Sequence, residues 1–555
     1  MISNCFRAAI VVQLTLLAAM SPDSRHGTGS QAPEGTQYYL SPNGDDNADG
    51  KTLQTAWKTF HHAQYVLREG DTLSARGGNY PDTCFFPPAG TKEHPITIRA
   101  YKNETPIITG HACWNLFFAI YHDWVNISGL SFDNTSDDNG IIYLRNAHHV
   151  TFRKNKFTNN HGATDILLTS SSDVVIGNNE FDTTGNPSGE GTGDNIYVAG
   201  STRVLIEHNT MKHAGHAAID VINDGDAISA FNVIRANVIE QYWGGGIYVT
   251  RGSHDNLVDG NRIEHAGEGC TYPKAGLQIA SAHNIIRYNV VNKTSSHPLA
   301  DNGIALYAYT FSGIRQDATD NRIYNNVVYG AGHAALYIWV ADTSVLTRNR
   351  VLNNIFYRDK TAGPQEPYWP PGNYYLGFEL YHAVQKWQAF PNNNYFYNNL
   401  ILHADASGDH PGIPIIYYDT QRLALSLKQA QQNYPDFFFG DIERDPMFED
   451  APAGNFQLKT ESPAIGAGAD LTTTTAAGQN TSQVGVHDAS FFSDGFGVMP
   501  GDLIRIGANQ PVRIKSIDYN SNLITLEQPV SFKSGDPVNL ALGRSTHPDM
   551  GAIPQ

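Results

Sequence analysis

The chain has 555 residues, with 37 Lys+Arg against 54 Asp+Glu for a formal charge of −17, and it is 41% hydrophobic and 16% charged. That length and apolar share bury a core, exclude wholesale disorder, and allow one large domain with one or two small ones. The acidic balance argues against nucleic acid and anionic membranes, both of which need basic surface, while a local basic cleft would still admit an acidic sugar polymer.

In chain order, residues 1–34 read as a signal peptide and linker. Arg7 supplies the positive start, and Ala8–Ala19 is an apolar run with a single Gln. The run suits a signal h-region and is too short to cross a bilayer. A secreted or periplasmic protein with no membrane span is expected. Export permits disulfides, and Cys84 and Cys113 are close enough in sequence to meet on neighbouring turns. Cys270 stands apart, and no CxxC spacing points to zinc or to a thiol nucleophile.

From about Asn126 to Tyr357 the sequence repeats. Each unit holds a short apolar–x–apolar strand, such as Ile142-Tyr143-Leu144, Ile196-Tyr197-Val198, Ile219-Asp220-Val221, Ile247-Tyr248-Val249 or Leu277-Gln278-Ile279. An Asn recurs in step at 155, 179, 209, 237, 261, 289, 326 and 354, at separations of 24 to 37 residues. Irregular periods of this size with period-2 strands predict a solenoid of stacked strands, whereas helical repeats would show apolar spacings of three and four. An Asn at each bend would tolerate the left-handed conformation and bond the Asn of the next turn.

The openings Tyr38-Tyr39-Leu40-Ser41-Pro42-Asn43-Gly44 and His94-Pro95-Ile96-Thr97-Ile98, with Ser462-Pro463-Ala464-Ile465 and Asp549-Met550-Gly551-Ala552 near the end, resemble those of secreted right-handed parallel β-helix carbohydrate-active enzymes of the polysaccharide lyase type. The resemblance spans roughly residues 36–480 and implies an all-β solenoid. The layout expected is residues 35–483 as β-helix with an insertion at 358–392, residues 484–541 as a small inserted β-barrel or sandwich, and residues 542–555 as a return to the β-helix end. Helical spacing at Leu423, Leu427 and Ala430 predicts a helix within Thr420–Asn433 covering a coil edge.

In such a coil, alternation sends one set of side chains inward and the other onto flat outer faces. Tyr197, Asp220, Tyr248 and Gln278 then share an outer row. Asp165 and Asn195 are expected on the same face, with Arg251 and Tyr307 at strand ends and Asp194, His216, Trp243, Lys274 and Asp301 on entering loops. Gly244–Gly246 and Gly276 would leave room for a chain to lie against the backbone. The mixture suits a polysaccharide or oligosaccharide, held by Asp165, Asp194, Asn195, Trp243, Gln278, Asp301 and Tyr307. A monomer is expected.

Two reactions fit these residues. A lyase takes the proton beside a uronic carboxylate and needs a base and a cation; Tyr248 or Tyr197 with Arg251, Lys274 and His216 would supply them, with Asp220 orienting. The segment Ile247–Asn256 resembles the strand that carries the base in chondroitinase-B and alginate lyases, with Arg251 where those enzymes have Lys. A glycoside hydrolase would instead pair Asp220 with Asp194 or Asp165. A glycan-binding solenoid without catalysis is the third reading. Asn223-Asp224-Gly225-Asp226 suggests a calcium loop through Asp224 and Asp226.

Overall fold

The computed structural model describes residues 35–552 apart from 82–84, 110–117, 134–141, 161–163, 185–192, 242–243, 265–274, 293–301, 312, 332–333, 342, 359–375, 383–392, 404–414, 419–420, 425 and 543–546. The expected signal peptide, the Cys84–Cys113 pair, Cys270, Trp243, Lys274 and Asp301 therefore lie outside the described residues. Among the described residues, no helix is long and apolar enough to cross a membrane.

The chain winds into a parallel β-helix with three long sheets of 14, 12 and 13 strands, here called A, B and C, reached in turn on each lap. Alternation produces the winding. Ile196, Val198, Ile219, Val221, Ile247 and Val249 of sheet C face inward and are fully buried, while the residues between them face out. Apolar surface contributes roughly 25 cal/mol per Å² removed from water, so each lap gains by stacking on the last. Rings stack inside as well, with Phe132, Phe157 and Phe181 at 5.0 and 4.7 Å between centroids.

The recurring Asn residues form an internal ladder. The Nδ2 of each donates to the Oδ1 of the next, from Asn155 to Asn179 at 3.1 Å through Asn237 to Asn261 at 2.9 Å and Asn326 to Asn354 at 2.9 Å. The ladder runs on through Asn399 and ends on Asp441. The left-handed bend falls one residue before each rung: Lys154, Asn178, His208, Ala236, Tyr288, Asn325, Asn353 and Asn398 have positive φ. The rung must aim its amide inward, so the residue before it takes the bend. A second ladder, absent from the sequence reading, joins Asn232, Asn256, Asn284, Asn321, Asn349 and Asn394.

Both ends of the core are covered. Helix α1 (Phe60–Val66), capped by Thr59, buries Phe60 and Ala63 at the start. Helix α2 (Leu427–Asn433) buries Leu427 and Ala430 at the end. The sequence reading opened α2 too early. Gln421–Ala424 is a strand folded back on Ile415–Tyr418, and the Ser426–Gln429 capping box sets the helix start. The expected insertion also needs correction, because Leu376–His382 is a sheet C strand pairing in register with Ala334–Val340.

A six-stranded antiparallel sheet occupies Thr472–Leu540, opening before the boundary expected at 484. It packs over the outer face of sheet A, where Leu205, Val233, Leu257, Ile285, Tyr324, Leu352 and Tyr397 join Val484, Phe491, Ile504 and Ile514 in one apolar cluster. A buried, two-pronged ion pair from Arg287 to Asp502 (2.7 and 2.6 Å) pins it, with Arg322 to Asp488 (2.9 Å) beside it. The segment holding Phe448, Phe456, Leu458 and Ala464, with Met550 and Ala552, covers the later laps of sheet B. Sheets A and B thus lose much of their outer faces to the chain's own C-terminal segments.

Candidate active site on sheet C

Five strands of sheet C carry the site: β1 (Thr164–Thr169), β2 (Asp194–Ala199), β3 (Ala217–Ile222), β4 (Gly245–Val249) and β5 (Ala275–Ile279). Their register aligns Leu167, Tyr197, Asp220, Tyr248 and Gln278 in a single row. The row is not a flat open surface. Asp220 and Tyr248 are each 5% exposed, while Tyr197 and Gln278 are half-buried, so the middle of the row is closed off from solvent.

Asp194 and His216, at the entries to β2 and β3, close around Asp220. Asp194 Oδ1 faces His216 Nδ1 at 2.9 Å and accepts from the Ala217 amide at 3.0 Å. The His216 ring stands edge-on to Tyr248 at 5.5 Å. Burial and then the neighbouring Asp194 charge push the Asp220 carboxyl up to about 7, against the opposing pull of His216 and Arg251. Burial raises the Tyr197 phenol, with Asp220 adding to it.

Arg251 follows β4 in the left-handed conformation, at φ 50°. Its amide donates to Gln316 Oε1 at 2.9 Å, and its guanidinium lies 5.1 Å from the centre of the Phe311 ring. Gln316 and Phe311 belong to a hairpin of β6 (Asn302–Phe311) and β7 (Ile314–Gln316) that extends beyond the coil. Tyr309 of the same hairpin lies within electrostatic reach of both Arg251 and Asp220. The sequence reading took Tyr307 from this strand and missed Tyr309, Phe311 and Gln316. The signal was present: the alternation Tyr307, Tyr309, Phe311 runs on past the length of a coil strand to a turn at Gly313.

Asp165 and Asn195 face the other way. Both are fully buried, and Asp165 accepts from Asn160 Nδ2 at 2.9 Å, Asn195 Nδ2 at 3.1 Å and the Thr184 hydroxyl inside the corner between sheets B and C. Alternation lapses at the start of each strand, where the backbone turns in from sheet B. The glycines are corrected with them. A Cβ on Gly246 would meet Gly276 O at 2.3 Å and Ile263 at 3.0 Å, and one on Gly244 would meet His216 O at 1.9 Å. A Cβ on Gly245 would lie 2.1 Å from the Tyr248 ring. These glycines make room for the protein's own chain, and Gly245 admits Tyr248.

Asp224 and Asp226 are exposed in a tight turn closed by Asp224 and Ala227. Among the described residues, the one group of three side chains arranged to hold a metal ion is Asp194, His216 and Asp220, whose donor atoms lie within 4.8 Å of one another. Asp220 Oδ1 is buried without a hydrogen-bond partner. Two carboxylates, an imidazole and an orphaned buried oxygen fit a divalent cation, and the nitrogen donor leans towards a borderline ion over calcium.

Residues 38–190 match a family model described as "Pel9A-like, right handed beta helix region", and residues 186–356 match one described as "Right handed beta helix region". The uncharacterized protein YwoF of Bacillus subtilis (strain 168) is 24% identical over 475 residues, covering 78% of this chain and 92% of that protein. Similar solved structures include the PL6 family alginate lyase AlyGC (TM-score 0.44, 15% identity, 71% of this chain and 56% of that one) and pectate lyase Pel9A (0.41, 14%, 79% and 92%). A mannuronic acid specific family 6 lyase from human gut microbiota gives 0.45 at 14% identity over 74% and 92%. This chain spans little more than half the length of AlyGC. By its strand register and by the two family matches together, residues 38–356 are a right-handed β-helix region.

Proposed function

We propose that the protein cleaves a polysaccharide in the sheet C cleft by β-elimination beside a uronic acid. The observation that carries this reading is the convergence of Asp194, His216, Asp220, Tyr248 and Arg251 from consecutive laps into one covered polar cluster. Titratable groups gathered in a cleft, one of them shifted by burial and a like charge, are the pattern of a reactive site. The lyases among the similar structures are in keeping with it.

Charge decides what the cleft needs. Asp194 and Asp220 set two acids beside Arg251, so added positive charge would favour entry of a third carboxylate, the substrate's. A divalent cation held by Asp194, His216 and Asp220 would supply that charge and acidify the proton next to the uronate carboxylate. Arg251 pairs with the carboxylate. Tyr248, beside Asp220 in the row, transfers the proton: it leaves the carbon next to the carboxylate, its electron pair forms a carbon–carbon double bond, the glycosidic carbon–oxygen bond breaks, and the departing oxygen takes up a proton.

A second reading rests on the short reach between Asp194 and Asp220. A raised carboxyl next to one tied down by an imidazole and an amide is the acid and nucleophile pairing of a retaining glycoside hydrolase. It acts on a neutral sugar and needs no cation. Incubation with alginate, polygalacturonate and neutral glucans, read by ultraviolet absorbance and product mass, separates the two. Unsaturated products that disappear with a chelator and return with divalent metal support elimination. Saturated products insensitive to the chelator support hydrolysis, and binding without any shortening leaves a glycan-binding solenoid.

A further inference from the structure

The row that carries Asp220 changes character as it leaves the polar cluster. From Gln278 it passes to Ala305 in β6 and to Tyr337 in β8 (Ala334–Val340), and the next outward position pairs Tyr307 with Trp339. Ala305 leaves only a methyl floor. Beyond it the face turns aromatic. Tyr307 packs against Tyr337 and Trp339 at 5.8 Å each, and Tyr309 against Trp339 at 5.5 Å. Ile304, Leu306 and Ile338, which alternate with these rings, are the ones that enter the solenoid core. The aromatic side chains are partly exposed on the outside of the coil.

The patch is continuous with the polar cluster. Tyr309 feels the charges of Asp220 and Arg251, and Arg251 covers Phe311 from the same hairpin. We propose that Tyr307, Tyr309, Tyr337 and Trp339 form a sugar-stacking subsite, which holds the stretch of polysaccharide running from the cleaved bond towards the C-terminal laps. This rests on the saccharide reading above. The ring faces of a sugar are apolar and its rim is hydroxyl, a combination that aromatic planes tipped with phenols match. Strand spacing sets the reach: four laps separate Asp220 from Tyr337, roughly 19 Å at about 4.8 Å per lap. A long chain touches both ends of the site and a short oligosaccharide only one.

The test uses the full chain with Trp339→Ala and Trp339→Phe. Retardation in native gels containing alginate or polygalacturonate measures binding. KM and kcat are taken on the polymer and on the shortest oligosaccharide that is cleaved. Trp339→Ala is expected to weaken polymer binding about tenfold and to raise polymer KM alike, with kcat and the short substrate unchanged and Trp339→Phe close to the parent. If the parent cleaves polymer and Trp339→Ala changes nothing, the subsite is refuted and the cleavage reading stands. If the parent is retarded but cleaves nothing, and Trp339→Ala abolishes retardation, cleavage is refuted and the subsite stands. A parent neither retarded nor active overturns both, and equal losses on short and long substrates overturn the subsite.

Discussion

Asp441 ends the long amide ladder, and its protonation sets a pH dependence for the fold. Asp441 Oδ1 accepts from the Asn399 amide at 2.8 Å and from its Nδ2 at 2.9 Å, while Oδ2 is buried with no hydrogen-bond partner. Burial lifts this carboxyl from 3.8 to about 7. The unfolded chain therefore ionises Asp441 before the folded one does. Its contribution is intact below about pH 4, declines between about pH 4 and 7, and is fully lost above 7. A shift of about three units at roughly 1.4 kcal/mol each bounds the loss near 4 kcal/mol. Asp441→Asn keeps the shape and the two accepted bonds and removes the charge. Guanidinium unfolding of both proteins at about pH 4, 6 and 8 should show the variant gaining on the parent across that window, by up to about 4 kcal/mol. A stability difference that stays constant with pH would refute the buried-charge argument.

Asn261→Ala strips the acceptor from the Asn237 amide and Nδ2 and the donor from Ile234 O; at about 1–3 kcal/mol for each buried group left unpaired, urea unfolding should show a loss of roughly 3 kcal/mol or more. Asp502→Ala takes the two-pronged partner from buried Arg287 and leaves it Asp259 at 3.2 Å; the loss should be about 3 kcal/mol, part of it recovered when Arg287→Met is added, as a double-mutant cycle would read. Gly245→Ala pushes a Cβ into the Tyr248 ring; polysaccharide cleavage should fall far more than the unfolding midpoint, and equal falls would mean that Gly245 serves the fold alone.

The winding and its internal ladder were legible because they recur: alternation and the Asn spacing carry the same information lap after lap. The outer row of Tyr197, Asp220, Tyr248 and Gln278 followed from that register. Asp165 and Asn195 were misread because alternation holds only along a straight strand, and both sit where the backbone turns a corner. Gly244–Gly246 looked like room for a ligand, since a sequence cannot say which neighbour fills the space a glycine leaves. The second Asn ladder was hidden among Asn residues common in turns. The repeat also set Asp220 beside Asp194 with His216 at a strand entry; that the three donor atoms converge on one point, as a metal-holding group, depends on side-chain directions that no local pattern encodes.

The antiparallel sheet over sheet A bears on how the molecule comes apart. A stack in which every lap meets only its neighbours can unravel from either end, one turn at a time. Here a single body of strands grips residues from Leu205 to Tyr397 at once, so those laps cannot open one by one without tearing it loose. The clamped stretch contains Asp220, Tyr248 and Trp339. The polar row on sheet C is thereby kept out of any fraying at the termini, and hydrogen exchange in those laps should proceed as one cooperative block.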